Sequence, residues 1–240
     1  MIILTNKNSI ASARMLRDKI FELSNIYLHV STKCRNSNIF LRYGNSSPCR
    51  REDWAINRPE FIKICANKDR FAKHLISFGI NSVVFHATDK NLTFPLIIRT
   101  TLTGYGGKGI ILCNNMEDFY DNWDIGYFWT PVIEKKREFR VHIIGGNIVK
   151  IMEKVPKSTY DIVLNSKTAN FRRKDIKYFK WMEGVVDKLN TAFGKKSFYA
   201  IDIAETHNDY VIFEANSAPG LNNYTAKIYA EHILKLLGVP

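Results

Sequence analysis

A glycine-rich segment, TGYGGKG at 103–109, lies between two short apolar segments. Gly104, Gly106 and Gly109 match the G-x-G-x-x-G pattern of dinucleotide-binding βαβ units, in which a helix follows the loop. Here the next residues are IILC, which are β-branched and apolar and predict a strand instead. A Walker A loop is excluded because Lys108 is followed by Gly109 and not by Ser or Thr. The pattern therefore predicts a glycine hairpin whose backbone can approach phosphate groups.

Two other interpretations of this hairpin depend on the rest of the chain. Protein kinases also cover nucleotide phosphates with a glycine loop, but they need a catalytic-loop H-R-D and a metal-binding D-F-G. Neither tripeptide occurs in this sequence. A hairpin without a ligand stays open when the loop is considered alone.

A second motif, FYAIDIAETHNDYVIFEANSAPG at 198–220, predicts two strands joined by a turn at His207–Asp209. Glu214 and Asn216 are two residues apart on the second strand, so their side chains share a face. Asp202 lies opposite Glu214 if the hairpin pairs symmetrically. Three oxygen ligands on one face suit Mg²⁺. The alternative is structural: two polar residues that end a strand, and an aspartate that is satisfied by its neighbours.

Length, charge and cysteine content narrow the class of protein. The chain has 240 residues and a formal net charge of +12, which predicts anionic partners such as nucleotide phosphates, an acidic substrate or nucleic acid. No apolar run approaches the length of a membrane span, and the apolar start is too short for a signal peptide. The irregular cysteine spacing predicts reduced, buried thiols in a cytoplasmic protein, with no disulfide framework and no zinc site. These cysteines are Cys34, Cys49, Cys65 and Cys113.

The hydrophobic pattern predicts an α+β (mixed α/β) chain with a boundary near residue 60. Residues 1–59 predict a βαβ-like unit with a helix over Ser9–Leu23. Residues 59–78 predict helices broken near Asn67. The other predicted strands are at 80–88, 94–100, 109–113, 127–135, 138–146, 147–155, 197–205 and 210–220. The other predicted helices are at 116–123, 173–193 and 222–238, with an irregular polar segment at 156–172.

The two motifs together resemble the ATP-grasp superfamily. FPLIIR followed by TGYGGKGIIL resembles its phosphate loop, and DI…YVIFEANSAPGL resembles its metal-binding signature. The resemblance covers residues 60–238, and EFRVHIIGGNIVKIMEK is similar to a branch with ribosomal-protein modification enzymes and phage-encoded relatives. It implies an ATP-grasp fold, with two α/β lobes at 60–133 and 134–240 that clamp ATP after a pre-ATP-grasp domain at 1–59.

The resemblance also implies ligands and residue roles. Asp202, Glu214 and Asn216 would hold two Mg²⁺ ions at the ATP phosphates, with Mn²⁺ as a substitute. The implied ATP contacts are Lys68, Arg99 (a lysine in the family), Gly104, Gly106, Gly107, Lys108, Glu134, Lys135, Lys136 and Glu138, the last toward the ribose. Arg140, Lys154 and Arg172 would contact the transferred phosphate or the substrate, with Asn165 and Asn170 as alternatives to Arg172.

The activity implied by the resemblance is that of an ADP-forming carboxylate–amine or carboxylate–thiol ligase. ATP would convert a carboxylate of a small molecule or peptide to an acyl phosphate, and an amine would displace the phosphate to give an amide. Two alternatives remain: a small-molecule kinase that uses the same ATP site, and a non-catalytic nucleotide-binding or nucleic-acid-binding module. The positive charge favours an acidic substrate and leaves a nucleic-acid partner open, no membrane partner is expected, and a homodimer is the default assembly.

Overall fold

The computed structural model describes residues 1–34, 39–49, 54–103, 107–159 and 161–239. Gly104 and Gly106 of the predicted phosphate loop lie outside these residues. Within them the chain forms three β-sheets and six α-helices, which confirms the mixed α/β class. No helix in this described part of the chain is long and apolar enough to cross a lipid bilayer.

The first sheet is parallel and has the strand order β2-β1-β3-β4. Its strands are β1 (Ile2–Thr5), β2 (His29–Ser31), β3 (Ile39–Tyr43) and β4 (Trp54–Ile56). Helix α1 (Ile10–Ser24) connects β1 to β2 and buries Ala13, Leu16 and Ile20 on its inner face. These side chains share a core with the C-terminal helix α6 (Asn223–Leu236), so the last helix of the chain packs against the first.

A three-stranded antiparallel sheet in the order β6-β5-β7 carries the glycine loop. Its strands are β5 (Leu96–Arg99), β6 (Ile110–Cys113) and β7 (Phe128–Pro131), with helix α4 (Met116–Trp123) between β6 and β7. Phe119 of α4 is buried against Leu96, Ile98 and Trp129. The loop therefore joins two paired strands, as the apolar residues after it predict.

The largest sheet is antiparallel, with the order β10-β9-β8-β11-β12. Its strands are β8 (Arg137–Ile144), β9 (Asn147–Pro156), β10 (Ala169–Lys174), β11 (Phe198–Glu205) and β12 (Tyr210–Asn216). Helices α2 (Pro59–Cys65), α3 (Lys68–Ser77) and α5 (Trp181–Phe193) cover one face, where Phe71, Phe139 and Leu189 are fully buried. One end of the opposite face carries polar side chains, and at the other end Ile144 and Phe198 pack against α6.

Helices α2 and α3 pack against this large sheet, although the sequence predicts that they belong to the first lobe, at 60–133. Asn67 separates the two helices and caps α3, because its side chain accepts a hydrogen bond from the amide of Arg70 at 3.0 Å. The domain boundary near residue 59 and the lobe boundary near residue 133 remain predictions.

Three sequence-based expectations about secondary structure are wrong. Residues 80–88 form no strand and meet other strands only at isolated bridges, Ser82 with Ile212 and His86 with Trp129. The end of the segment predicted to be irregular, 156–172, belongs to strand β10. The helix predicted at 173–193 begins only at Trp181, because β10 extends to Lys174. Strand β10 is an edge strand that pairs with β9 alone, and an edge strand needs no apolar face. Its polar residues therefore gave no alternating pattern and were compatible with the exposed side of a helix.

The expectation of four reduced thiols is also wrong. Cys34 and Cys49 form a disulfide, whereas Cys65 and Cys113 are buried free thiols. Cys34 follows β2 and Cys49 follows β3, and these strands flank β1 in a parallel sheet. Parallel strands end at the same edge of a sheet, so the fold brings together two cysteines whose spacing gives no signal.

Candidate active site

A cavity of about 290 Å³ lies between the three-stranded sheet and the polar face of the five-stranded sheet. Apolar side chains at Ile97, Ile110 and Phe213 line part of it. Six cationic residues and three carboxylates also line it: Lys68, Arg99, Lys108, Lys135, Arg140, Lys154, Glu138, Asp202 and Glu214. The lining thus has an excess of three positive charges.

Strand register places the charged side chains of the large sheet in rows. Asp202 of β11 is the direct neighbour of Arg140 on β8 and of Glu214 on β12. Glu138 is the direct neighbour of Lys154 on β9. Because alternate residues of a strand share a face, both rows lie on the side that lines the cavity. The predicted pairing of Asp202 with Glu214 is confirmed.

A buried ion network connects these rows. The Nζ of Lys154 donates hydrogen bonds to Glu138 Oε1 at 2.7 Å and Asp202 Oδ2 at 2.5 Å, and to the carbonyl of Leu164 at 3.1 Å. Arg140 donates from Nε and Nη2 to the two carboxylate oxygens of Asp202, both at 2.8 Å. Lys135 donates to the other oxygen of Glu138. Each buried carboxylate is therefore held by two cations.

Two members of the network, Asp202 and Lys154, keep their charges although they are out of water. Burial alone would raise the pKa of Asp202, but Lys154 and Arg140 hold that pKa well below its usual range. Burial alone would lower the pKa of Lys154, but the charges of Asp202 and Glu138 outweigh it and raise that pKa. Asp202 and Lys154 therefore both stay charged at neutral pH.

A second ion pair lies nearer the opening of the cavity. Lys68 is the first residue of α3, and its Nζ is 2.8 Å from Glu214 Oε2. The amide of Lys68 donates to the carbonyl of Leu102 at 3.2 Å, so the start of α3 is attached to the segment that leads into the glycine loop. Glu214 keeps about a third of its side chain exposed.

Arg99, the last residue of β5, differs from the other cations of the cavity. Its guanidinium carbon lies 5.6 Å from the centre of the Phe85 ring, and its Nε is buried with no hydrogen-bond partner among the described residues. Burial lowers its pKa, and the charge of Glu214 offsets only part of that effect. A buried guanidinium donor that lacks an acceptor and lines a cavity is arranged to receive an anion.

Gly107 of the glycine loop lies beside Asn165, which belongs to the segment between β9 and β10. Gly107 has a φ of +79°, and a Cβ built there would lie 2.8 Å from Nδ2 of Asn165. Asn165 lines the cavity, whereas Asn170 is exposed and outside its lining. Of the two asparagines considered from the sequence, Asn165 is thus the one beside the glycine loop.

The structure brings most of the predicted site residues together. The cavity is lined by Lys68, Arg99, Gly107, Lys108, Lys135, Glu138, Arg140, Lys154, Asp202, Glu214 and Asn216. The sequence did not single out the apolar lining, such as Phe213 and Ile110, because an apolar residue in a strand reads as core. Strand alternation would place Phe213 on the face opposite Glu214, but the register shift after Asp202 leaves Phe213 out of the pairing, so that both residues line the cavity.

Three predicted residues do not line the cavity. Arg172 is exposed because the neighbouring Phe171 takes the cavity-facing side of β10, where the Arg140 guanidinium lies 5.5 Å from its ring centre. The side chain of Glu134 is 86% exposed and lies 3.4 Å from His207. Lys136 donates its amide to the carbonyl of Glu205 at 2.8 Å, so that amide has an acceptor within the protein.

The oxygen donors of the cavity suit a hard cation. Glu214 and Asp202 offer carboxylates and Asn216 an amide oxygen, the ligand chemistry of Mg²⁺. No group of three or more His, Cys, Asp or Glu residues that could hold a metal ion occurs in the described ranges. These side chains would therefore provide part of a Mg²⁺ coordination shell, and oxygens of a bound phosphate would complete it.

No family model and no curated protein matches the sequence, but solved structures match the fold. A carboxyaminoimidazole ribonucleotide synthase from Aspergillus clavatus, complexed with ATP, aligns over 100% of this chain and 77% of its own with a TM-score of 0.70 and 14% identity. A D-alanine–D-alanine ligase from Bacillus anthracis, also complexed with ATP, aligns over 98% and 96% with a TM-score of 0.66 and 12% identity.

A third match is a RimK domain protein from Sphaerobacter thermophilus, described as ATP-grasp. It aligns over 98% of this chain and 100% of its own, with a TM-score of 0.65 and 11% identity. At such identities the matches establish the architecture, which is the one predicted from the two motifs. The chain therefore has the ATP-grasp fold.

Proposed function

We propose that the protein is an ATP-dependent, ADP-forming ligase that activates a carboxylate as an acyl phosphate and joins it to an amine. The observation that carries this proposal is the cavity between the three-stranded and five-stranded sheets of an ATP-grasp fold, with six cations against three carboxylates. An excess of three positive charges complements a triphosphate. The two ATP-complexed matches are a ribonucleotide synthase and a ligase, which supports an ATP-dependent bond-forming reaction.

The lining suggests the orientation of the nucleotide. Ile97, Ile110 and Phe213 offer apolar surface for a flat base. Lys68, Arg99 and Lys108 offer charge to the phosphates, and the unpaired Nε of Arg99 is a ready donor. Glu138 is the residue expected at the ribose, and its two carboxylate oxygens accept hydrogen bonds from Lys154 and Lys135. Glu138 must therefore exchange one of these partners before it can bind the ribose hydroxyls.

Mg²⁺ would be held by Glu214 and Asn216, with Asp202 joining once a phosphate takes over one of its cations. When bound, the ion neutralises phosphate charge. An ion at Glu214 would compete with Lys68 for that carboxylate, and Lys68 would then be available to contact the nucleotide. The protein's own contribution is to present these oxygens beside the cations, on adjacent strands and in fixed register.

The reaction needs no nucleophilic side chain. A carboxylate oxygen of the substrate attacks the γ-phosphorus, the bond to the bridging oxygen breaks, and ADP leaves. The amine then attacks the acyl carbon, phosphate leaves with the bonding electrons, and the nitrogen loses a proton. Arg140 and Lys154 stabilise the charge on the transferring group. The glycine loop, which abuts Asn165, limits access of water to the acyl phosphate.

The test is release of ADP and phosphate from ATP–Mg²⁺ with pools of carboxylates and amines. We expect at least one pool to stimulate release in the wild type. Glu214→Gln should abolish the stimulation, whereas Glu183→Gln, an exposed carboxylate on α5, should not. With an ¹⁸O-labelled carboxylate, one label should appear in the released phosphate. A labelled phosphate ester without phosphate release would indicate a kinase, and no stimulation above Glu214→Gln would contradict the proposal.

A further inference from the structure

A basic cluster lies on the five-stranded sheet beyond the residues that line the cavity. It consists of Lys150 on β9, Arg173 on β10 and Tyr224 in the first turn of α6. The ammonium of Lys150 is 5.6 Å from the centre of the Tyr224 ring, and the guanidinium carbon of Arg173 is 4.8 Å from it. Two cations from neighbouring strands thus approach one aromatic ring.

Lys150 is the unusual member of the cluster. It is 8% exposed, and its Nζ donates to Thr225 Oγ1 at 2.5 Å. That hydroxyl in turn donates to Asn222 Oδ1 at 2.8 Å. An ammonium has three donors, and Thr225 is the one acceptor that the described residues give it. No carboxylate in the described ranges forms an ion pair with Lys150.

Arg173 adds positive charge, and Asp175 interacts with it electrostatically without forming an ion pair. Among the described residues no carboxylate pairs with it, and Asp175, two residues away, pairs with Lys177 at 3.2 Å. Burial lowers the pKa of Lys150, and the charge of Arg173 lowers it further. A buried cation beside a second cation is unfavourable unless an anion joins them. The cluster therefore has the electrostatics of an anion site.

The cluster is continuous with the active-site face. Lys150 is the cross-strand neighbour of His142, and Met152 lies between Arg140 and Arg173 in the adjacent row. Diagonal neighbours on adjacent strands are about 7–8 Å apart, which is the relation of Lys150 to Arg140. Arg173 is two strands from Arg140, or about 10 Å, because strands are about 4.8 Å apart.

We propose that Lys150 and Arg173, beside Tyr224, bind a second carboxylate of an acidic peptide substrate whose reacting carboxylate lies at Arg140. This inference rests on the proposed ligase function and adds the substrate class. An extended peptide advances about 3.3–3.6 Å per residue, so the second carboxylate lies two to three residues from the reacting one. A peptide fits because two or three residues of extended backbone span the distance from Arg140 on β8 to Arg173 on β10 across the face of the sheet.

The experiment measures binding of two labelled peptides to the full chain by fluorescence anisotropy in the presence of ADP and Mg²⁺. The peptides are fluorescein-labelled Gly-Glu-Gly-Ser with a free terminal carboxylate and its isostere Gly-Gln-Gly-Ser. We expect the Glu peptide to bind at least tenfold more tightly than the Gln peptide. Lys150→Met and Arg173→Met should each remove most of that difference, whereas Lys180→Met, which removes an exposed charge elsewhere, should preserve it.

The controls distinguish a failure of the peptide-carboxylate site from a failure of the proposed ligase function. Arg173 is exposed, so Arg173→Met tests the site even if Lys150→Met fails to fold. Equal affinities for the two peptides, or an unchanged preference in Arg173→Met, with ADP binding intact, would overturn the peptide-carboxylate site alone. Absence of ADP binding in the wild type would overturn both proposals.

Discussion

Two cavity residues show that burial of a charge can have different consequences. Lys154 is buried with two carboxylates and a carbonyl as acceptors, so the protein itself compensates for its loss of water. Arg99 is half-buried, and its buried Nε has no partner in the described part of the chain. The first arrangement is complete without a ligand, and the second is completed only by one. Arg99 is therefore the residue at which the need for a ligand is most evident.

Replacing Arg99 with Met should separate binding from stability. Loss of a charge-assisted hydrogen bond to phosphate, worth about 1.5–3 kcal/mol, should weaken ATP binding at least tenfold. The free energy of unfolding should stay equal or rise, because the change removes an incompletely compensated buried charge. Calorimetric ATP titration and urea unfolding measure the two quantities. Arg172→Met, at an exposed position, is the matched control, and an equal loss of affinity there would contradict the assignment.

His142 predicts a specific pH dependence of stability. It is buried against Tyr229, with 2.9 Å between Nδ1 and the hydroxyl, and burial, followed by the charges of Lys150 and Arg140, lowers its pKa to about 3. Between pH 6.5 and 3 the unfolded chain therefore binds the proton more readily than the folded chain, and stability falls as the pH falls. At pH 5.5 the loss from this residue should be about 1.4 kcal/mol relative to neutral pH.

Urea unfolding of the wild type and of His142→Gln at pH 7.5 and pH 5.5 measures this contribution. The variant should lose about 1.4 kcal/mol less than the wild type on acidification. Equal losses in the two proteins would show that His142 accepts a proton in the folded state.

At the level of elements, the residue pattern predicts hairpins and helices that form between residues close in sequence. It does not predict features that depend on packing against distant residues. The hairpin of β11 and β12, with Asp202 opposite Glu214, follows from alternation and a turn, and the structure confirms it. Strand β10 was missed because an edge strand needs no apolar face. The apolar part of the cavity was missed because Phe213 has the residue type of a core position. Arg172 was assigned to the site because the strand that turns it away from the cavity was not predicted.

The glycine loop gives a prediction at this scale. Gly107→Ala places a methyl group 2.8 Å from the side-chain Nδ2 of Asn165 at a φ of +79°, a backbone conformation that alanine rarely adopts, so the loop should shift relative to Asn165. We expect the KM for ATP to rise several-fold without global unfolding. Gly184→Ala is the matched control, because Gly184 lies within α5 with no atom within 4 Å of the new methyl group.

The control should also stabilise the protein. An alanine in a helix interior is favoured over glycine by about 1 kcal/mol, so Gly184→Ala should raise the free energy of unfolding and leave the KM for ATP unchanged. Parallel kinetics and urea unfolding compare the two variants. If both substitutions changed the KM equally, Gly107 would have no special position in the cleft.

At the scale of the whole molecule, contacts distant in sequence hold the parts together. Helices α1 and α6, from opposite ends of the chain, share one core. The side chain of Asn57 donates to the carbonyl of Phe198 at 2.9 Å and accepts from its amide at 2.8 Å, which attaches the first sheet to β11. The local residue pattern predicts neither of these contacts. It also does not predict the disulfide between Cys34 and Cys49.

Reduction of the disulfide should destabilise the protein. The bridge spans a sequence separation of 15 residues, and closing a loop of that length contributes about 3 kcal/mol in the chain-entropy model. Urea unfolding with and without dithiothreitol measures the effect, and the double variant Cys34→Ser, Cys49→Ser should be insensitive to the reductant. An equal response of the wild type and the double variant would show that the bridge does not contribute.

We propose that the cavity between the three-stranded and five-stranded sheets binds ATP through its cations and through a divalent ion at Glu214 and Asn216. Calorimetric titration of the full chain with ATP, with and without Mg²⁺, tests it most directly. We predict that Mg²⁺ raises the affinity of the wild type and that Glu214→Gln loses this gain while it retains metal-free binding. Absence of ATP binding, or the same Mg²⁺ dependence in the wild type and Glu214→Gln, would contradict the account.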